Sequence, residues 1–88
     1  MRLPLLLGAH PRKYLEGAIV PLGAGEWMVT SEHHKDSVIH LCCADDITLL
    51  PTPLDGSPVT VKGPRVVYVR IEHPGSELFV NVFAEKQK

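Results

Sequence analysis

The sequence predicts an all-β domain, a small antiparallel β-sandwich or partly open barrel with a C-terminal meander. Three observations carry that expectation. The apolar runs are short, within the roughly 4–8 residues typical of strands, and rich in Val, Ile, Leu and aromatics. Eight Pro and seven Gly punctuate 88 residues, so turns are frequent and long helices are disfavoured. The last third of the chain alternates apolar and mixed positions with the period of two that belongs to a pleated strand.

In chain order, Leu3–Leu7 is the first strand candidate. Its apolar run is broken by Pro4 and soon followed by Arg12 and Lys13, so it reads as a strand and not as a secretory leader. Gly17–Pro21 and Glu26–Thr30 follow, with Pro21-Leu22-Gly23-Ala24-Gly25 joining Ala18-Ile19-Val20 to Trp27-Met28-Val29 as a hairpin whose tip is Gly23-Ala24-Gly25. Ser37–Cys43 and Ile47–Leu50 are next, with Asp45-Asp46 between them as a turn whose carboxylates bond nearby amides. The run 51–58 carries three prolines that cannot donate to a central ladder and is expected to be a connection. Val59–Lys62, Arg65–Glu72 and Glu77–Ala84 complete the strands, while Arg12–Glu16 and Ser31–Lys35 have room for about one helical turn each.

Register is testable in the final segment. His73-Pro74-Gly75-Ser76 is a turn signal, and treating it as a four-residue loop sets Ile71 opposite Leu78, Val69 opposite Val80 and Val67 opposite Val82. One face is then aliphatic. The other pairs Arg70 with Phe79, Tyr68 with Asn81 and Val66 with Phe83, and a slip of one residue would mix the two sets. A three-residue loop at Gly63-Pro64-Arg65 similarly pairs Val61 with Val67 and Val59 with Val69. The N-terminal strands, with Trp27, are expected to cover most of the mixed face.

Size and charge narrow the function. One domain spans residues 1–88, too short for a Rossmann or barrel enzyme, and such a domain buries only about 60–65% of its unfolded surface. The formal net charge is −1, which supplies no field for drawing the chain onto nucleic acid or anionic lipid, and no run approaches the roughly 18 apolar residues of a membrane span. Cys42 and Cys43 are adjacent on an expected strand, pointing to opposite faces, so a mutual disulfide would be strained. A reducing setting fits, cytoplasmic or virion-associated and not secreted.

Each candidate chemistry falls short of its requirements. His40 and Cys42 share a strand face and His33 and His34 precede them, but their spacing matches no zinc pattern. A mid-strand cysteine has neither a helix N-terminus nor an adjacent cation to activate it. Asp45-Asp46 offers too few oxygens for a hard cation, and Gly23-Ala24-Gly25 is too short to cradle a phosphate. Ser31, His33, His34 and Asp36 gather hydrolytic residue types on a single segment, where triads draw on separate elements. The expectation is therefore no enzyme, no metal and no cofactor.

Val61-Lys62-Gly63-Pro64-Arg65-Val66, followed by Val69-Arg70-Ile71-Glu72-His73-Pro74 and Val80, resembles the second half of the carbon storage regulator family of small RNA-binding β proteins. The resemblance implies a small RNA-binding regulatory β protein. It departs from the family at Leu3–Leu7, where the arginine-rich first strand is missing, and at Tyr68, where the RNA-contacting arginine would align.

The leading expectation is a non-catalytic interaction or assembly module, oligomeric or bound to another protein, with nucleic acid the alternative partner. Accessory components of phage particles and small inhibitors or adaptors share this size and β-rich character. The expected contact residues are Tyr68, Arg70, Phe79, Val66 and Phe83, because apolar and aromatic area with an arginine is the composition of interface hot spots.

Overall fold

A computed structural model describes residues 2–6, 19–33, 37–73 and 80–87. Among them the chain is all-β, with no helix, and hence with no helix long and apolar enough to cross a membrane. Six strands, β1 (Arg2–Leu6), β2 (Val20–His33), β3 (Val38–Cys43), β4 (Thr52–Leu54), β5 (Val59–His73) and β6 (Val80–Lys86), form one sheet in the order β1-β6-β2-β5-β3-β4. Every neighbouring pair is antiparallel and the sheet does not close into a barrel.

Two strands are longer than the molecule allows if straight. At about 3.3 Å per residue a 15-residue strand spans roughly 50 Å, while the longest dimension of the chain is 36 Å. Both long strands therefore bend, and they bend together. The β2–β5 register shifts between Leu22 and Gly25, so Leu22 faces Arg65 and Gly25 faces Gly63. This bulge is built on glycine: Gly25 has φ 115°, and a Cβ on Gly63 would collide with the Gly23 carbonyl oxygen. That carbonyl accepts a hydrogen bond from Trp27 Nε1 at 2.9 Å, which satisfies a group the bulge leaves off the ladder.

The bend divides the sheet into two limbs. β1, β6, the C-terminal part of β2 and the start of β5 form one; the start of β2, the rest of β5, β3 and β4 form the other. Their inward residues make a single core that includes Leu5, Leu22, Trp27, Val29, Ile39, Leu41, Leu54, Val67, Val69, Val80, Val82 and Ala84. Strands that cross between layers at a bend are a known way of building such packings.

Several local expectations are corrected. Gly23-Ala24-Gly25 and Gly63-Pro64 are not hairpin tips but facing bulge positions inside β2 and β5, so the pairings of Val61 with Val67 and Val59 with Val69 do not form. The C-terminal meander is absent too: β5 lies between β2 and β3, and β6 lies between β1 and β2. Both edges of β5 are already hydrogen-bonded, so β6 pairs elsewhere, with Val82 opposite Ser31 and Val80 opposite His33. Ile47–Leu50 is a turn, and the short β4 sits instead within the proline-rich run. Ser31–His33 is strand and not helix. The helical stretch Arg12–Glu16, the turn after His73, Leu78 and Phe79 lie outside the described residues.

One expectation survives its wrong partners. Val67, Val69, Val80 and Val82 are all buried and Ile71 packs against them. Alternation fixes which face points inward whichever strand lies beside it.

Candidate functional site

Among the described residues, three surfaces gather polar chemistry or exposed apolar side chains. The first is the outer face of the β3–β5 ladder. Cys42 pairs with Tyr68 and His40 with Arg70, and a bulge between Val38 and Ile39 leaves Glu72 beside both. The Glu72 carboxylate lies 3.1 Å from Arg70 Nε and 3.9 Å from His40 Nδ1. Arg70 and Glu72 are well exposed, so their ion pair contributes at most about 1 kcal/mol.

The expected contact residues do not make one patch. Val66, Tyr68 and Arg70 form a strip along β5, with Val66 opposite Pro21. Phe83 lies on the other limb, on β6, between Pro4 and Thr30, with the Arg2 guanidinium 3.8 Å above its ring centre. That cation–π contact caps part of the aromatic surface. Trp27 does not cover the mixed face at all: it belongs to the aliphatic core behind it. Phe79 is outside the described residues.

The second surface is the turn between β3 and β4, where the aliphatic run Ile47–Leu50 lies. Ala44 N donates to Val66 O at 2.7 Å and anchors its start. Asp46 then organises the turn: its Oδ1 accepts from Thr48 N at 2.9 Å and from Thr48 Oγ1 at 2.5 Å, while Leu49 N donates to Asp46 O at 3.3 Å. Those hydrogen bonds to Thr48 hold the Asp46 carboxyl below the usual aspartate range. The turn carries its aliphatic side chains outward, with Ile47 96% exposed and Leu50 87% exposed, and with Leu49 partly so. Asp46 followed two residues on by a threonine is the signal that identifies this turn, an aspartate bonding its own backbone two residues ahead.

The third is an open cleft of about 600 Å³ at the opposite end of β3. Its walls include Val38, Ile39, Pro53 and Leu54, with Ser31 and Asp55 among its polar groups. Ser31 is buried and its Oγ accepts from Gly56 N at 3.2 Å, which pins the β4–β5 connection to β2. Asp55 Oδ1 accepts from Ser57 N at 3.0 Å. Bonds from Ser57 hold the Asp55 carboxyl below its usual range, with a smaller contribution from His33. Ser31 and His33 therefore do share a cleft, with Glu32 and Asp55 as its described acids. Asp36 and His34 are outside the described residues.

Among the described residues, no group of three or more His, Cys, Asp or Glu side chains is arranged to hold a metal ion. Both cysteines are free. Cys42 is buried against the Tyr68 strand, whereas Cys43 is half-buried with a thiol pKa raised by burial and then by Asp45, the reverse of what activates a nucleophile.

Comparison with protein-family models, with curated proteins and with solved structures finds no match to this chain.

Proposed function

We propose that this domain is a non-catalytic protein interaction or assembly module, and that the β3–β4 turn is its principal point of contact. One observation carries the reading: Ile47 and Leu50 stand almost fully exposed on a turn that four hydrogen bonds, including the anchor at Ala44, hold in shape. A floppy loop can tuck its aliphatic side chains away. A turn tied by Asp46 keeps them presented, and burial by a partner is worth about 1.5–3 kcal/mol for each such side chain. A preorganised turn also reduces the ordering cost of association. Tyr68 and Arg70, on the same limb, supply the residue types enriched at interface hot spots.

The RNA-binding alternative draws less support. Arg65 lies 3.9 Å from Asp45, Arg70 is paired with Glu72 and Arg2 rests on Phe83. Arg65 and Arg70, two of the cations that would follow a phosphate backbone, thus each face a carboxylate of the chain itself.

The test is native mass spectrometry of the protein isolated with its associated species, compared with an Ile47→Asp/Leu50→Asp double variant. Both positions are exposed, so the variant is expected to melt within a few degrees of the parent while the associated mass disappears. Lys86→Ala serves as a surface control. A folded double variant that keeps every associated species would remove the support for this contact. Absorbance at 260 nm that is lost as ionic strength rises would favour RNA instead.

A further inference from the structure

Asp55-Gly56 lies in the connection from β4 to β5, along one wall of the cleft. Asp36, Asp45 and Asp46 are followed by Ser, Asp and Ile, whereas Asp55 is followed by Gly. The difference has chemical weight. A backbone nitrogen closes on the Cγ of the preceding aspartate most readily where its own residue brings no side chain to crowd the five-membered ring. Gly56 brings none, its φ is 96°, and no described atom lies within 4 Å of where a Cβ would stand.

Both reacting groups are engaged elsewhere in the fold. Gly56 N donates to Oγ of the buried Ser31 on β2 at 3.2 Å, and Asp55 Oδ1 accepts from Ser57 N at 3.0 Å. Ring closure requires the nitrogen to give up its proton and the carboxyl to be in its acid form, so that its hydroxyl can depart as water. Ser31 holds that proton. Ser57 opposes the second requirement, because its hydrogen bonds favour the ionised carboxylate.

We propose that Asp55-Gly56 is a site of spontaneous isoaspartate formation and that Ser31 is the positioning residue that restrains the reaction in the folded chain. In the first step Gly56 N bonds to Asp55 Cγ, the amide proton and the carboxyl's hydroxyl leave together as water, and a succinimide remains. Water then opens the ring. Breaking the new bond at Cγ restores aspartate; breaking the original peptide bond at the α-carbonyl leaves the chain running through the side chain. Water is the sole co-reactant. Isoaspartate lengthens the backbone by a methylene, which carries Gly56 N away from Ser31 and frees the connection from β2. Ser31, Asp55 and Gly56 all line the cleft, so the product has a remodelled cleft.

The test follows isoaspartate at residue 55 in the parent and in Ser31→Ala, each incubated at neutral pH, native and in urea, in water labelled with heavy oxygen. Electron-transfer fragmentation of the proteolytic peptide locates the product, and the label counts ring openings. Isoaspartate is expected at residue 55, forming faster in urea than in the native parent. Native Ser31→Ala is expected to react roughly two- to tenfold faster than the native parent, the factor that one net hydrogen bond supplies, and at the parental rate in urea. Cys42→Ala weakens the buried core instead and controls for lost stability; it should stay near the native parental rate. Amide exchange gives a second readout: Gly56 should be protected in the parent, and in Ser31→Ala it should lose protection ahead of the core of β5.

An unfolded parent that forms no isoaspartate at residue 55 overturns the site. Equal native and urea rates in the parent, an unprotected Gly56 amide, or a folded Ser31→Ala that reacts no faster than Cys42→Ala overturns the restraint. Should Ser31→Ala fail to fold, Gly56 exchange and the native-to-urea rate ratio of the parent still decide.

Discussion

Gly63→Ala tests the central device of the fold, the coupled bend of β2 and β5. The added methyl would collide with the Gly23 carbonyl oxygen and lie 3.0 Å from the Gly23 carbonyl carbon. Neither is the end of a flexible side chain, so backbone must move. Parting the strands or turning the Gly23 peptide also takes its carbonyl off Trp27 Nε1, now 2.9 Å away, on a residue that is itself buried. Overpacking costs about 1–3 kcal/mol, and a buried donor left unsatisfied costs about 1–3 kcal/mol more. The expected loss is about 2–6 kcal/mol, from a total of roughly 4–13 kcal/mol for a domain of this length. The sign is informative, because Gly→Ala at an unstrained site stabilises by about 0.4–1 kcal/mol. Gly23→Ala is the control, since nothing lies within 4 Å of a Cβ there. Urea unfolding followed by the fluorescence of Trp27, the sole tryptophan, and by far-UV circular dichroism gives both stabilities. Gly63→Ala should shift the midpoint down sharply and Gly23→Ala should not. A Gly63→Ala protein as stable as the parent would refute the bend as described.

Other outcomes follow from the same geometry. Val69→Asp places an unpaired charge in the fully buried core and should abolish cooperative unfolding, checked by near-UV dichroism; a parental melt would show that this face is not the core. The depressed carboxyls of Asp46 and Asp55 contribute stability that is present above the unfolded value near 3.9 and lost as pH falls through the lower folded value. Amide protection at Thr48 and Ser57, taken relative to the intrinsic exchange rate at each pH, should therefore fall only in acid, below the ordinary aspartate value, and titration of either carboxyl at or above that value would contradict the hydrogen bonds drawn here. Cys43, with its thiol pKa raised by burial, should alkylate more slowly in the native protein than in urea at neutral pH; equal rates would mean that it is not shielded. Replacing Cys42 with Ala should cost roughly 1–3 kcal/mol of packing and leave association unchanged, as read by the midpoint and by sedimentation.

Legibility in the sequence divides along a physical line. The all-β class and the inward parity of Val67, Val69, Val80 and Val82 were readable because both follow from period-two alternation, which is local. The Asp45-Asp46 turn was readable for the same reason, since an aspartate bonds amides two residues away. The candidate contact was only partly visible: Tyr68 and Arg70 share a strip, but Phe83 belongs to the other limb. Ile47–Leu50 reads as a strand from sequence because aliphatic residues in a run look alike whether a sheet covers them or solvent does.

The sequence by itself determined the strand-forming runs, the face each strand turns inward and the turns closed by their own side chains, since all of these depend on a few adjacent residues. Tertiary structure decided which strands are neighbours, and so where the candidate contact residues lie. Gly23, Gly25 and Gly63 show why: Gly-Ala-Gly and Gly-Pro fit a hairpin tip and a bulge equally well. Only the approach of Gly63 to Gly23, forty residues away in the chain, with Trp27 closing the bulge, makes two bent strands out of four short ones.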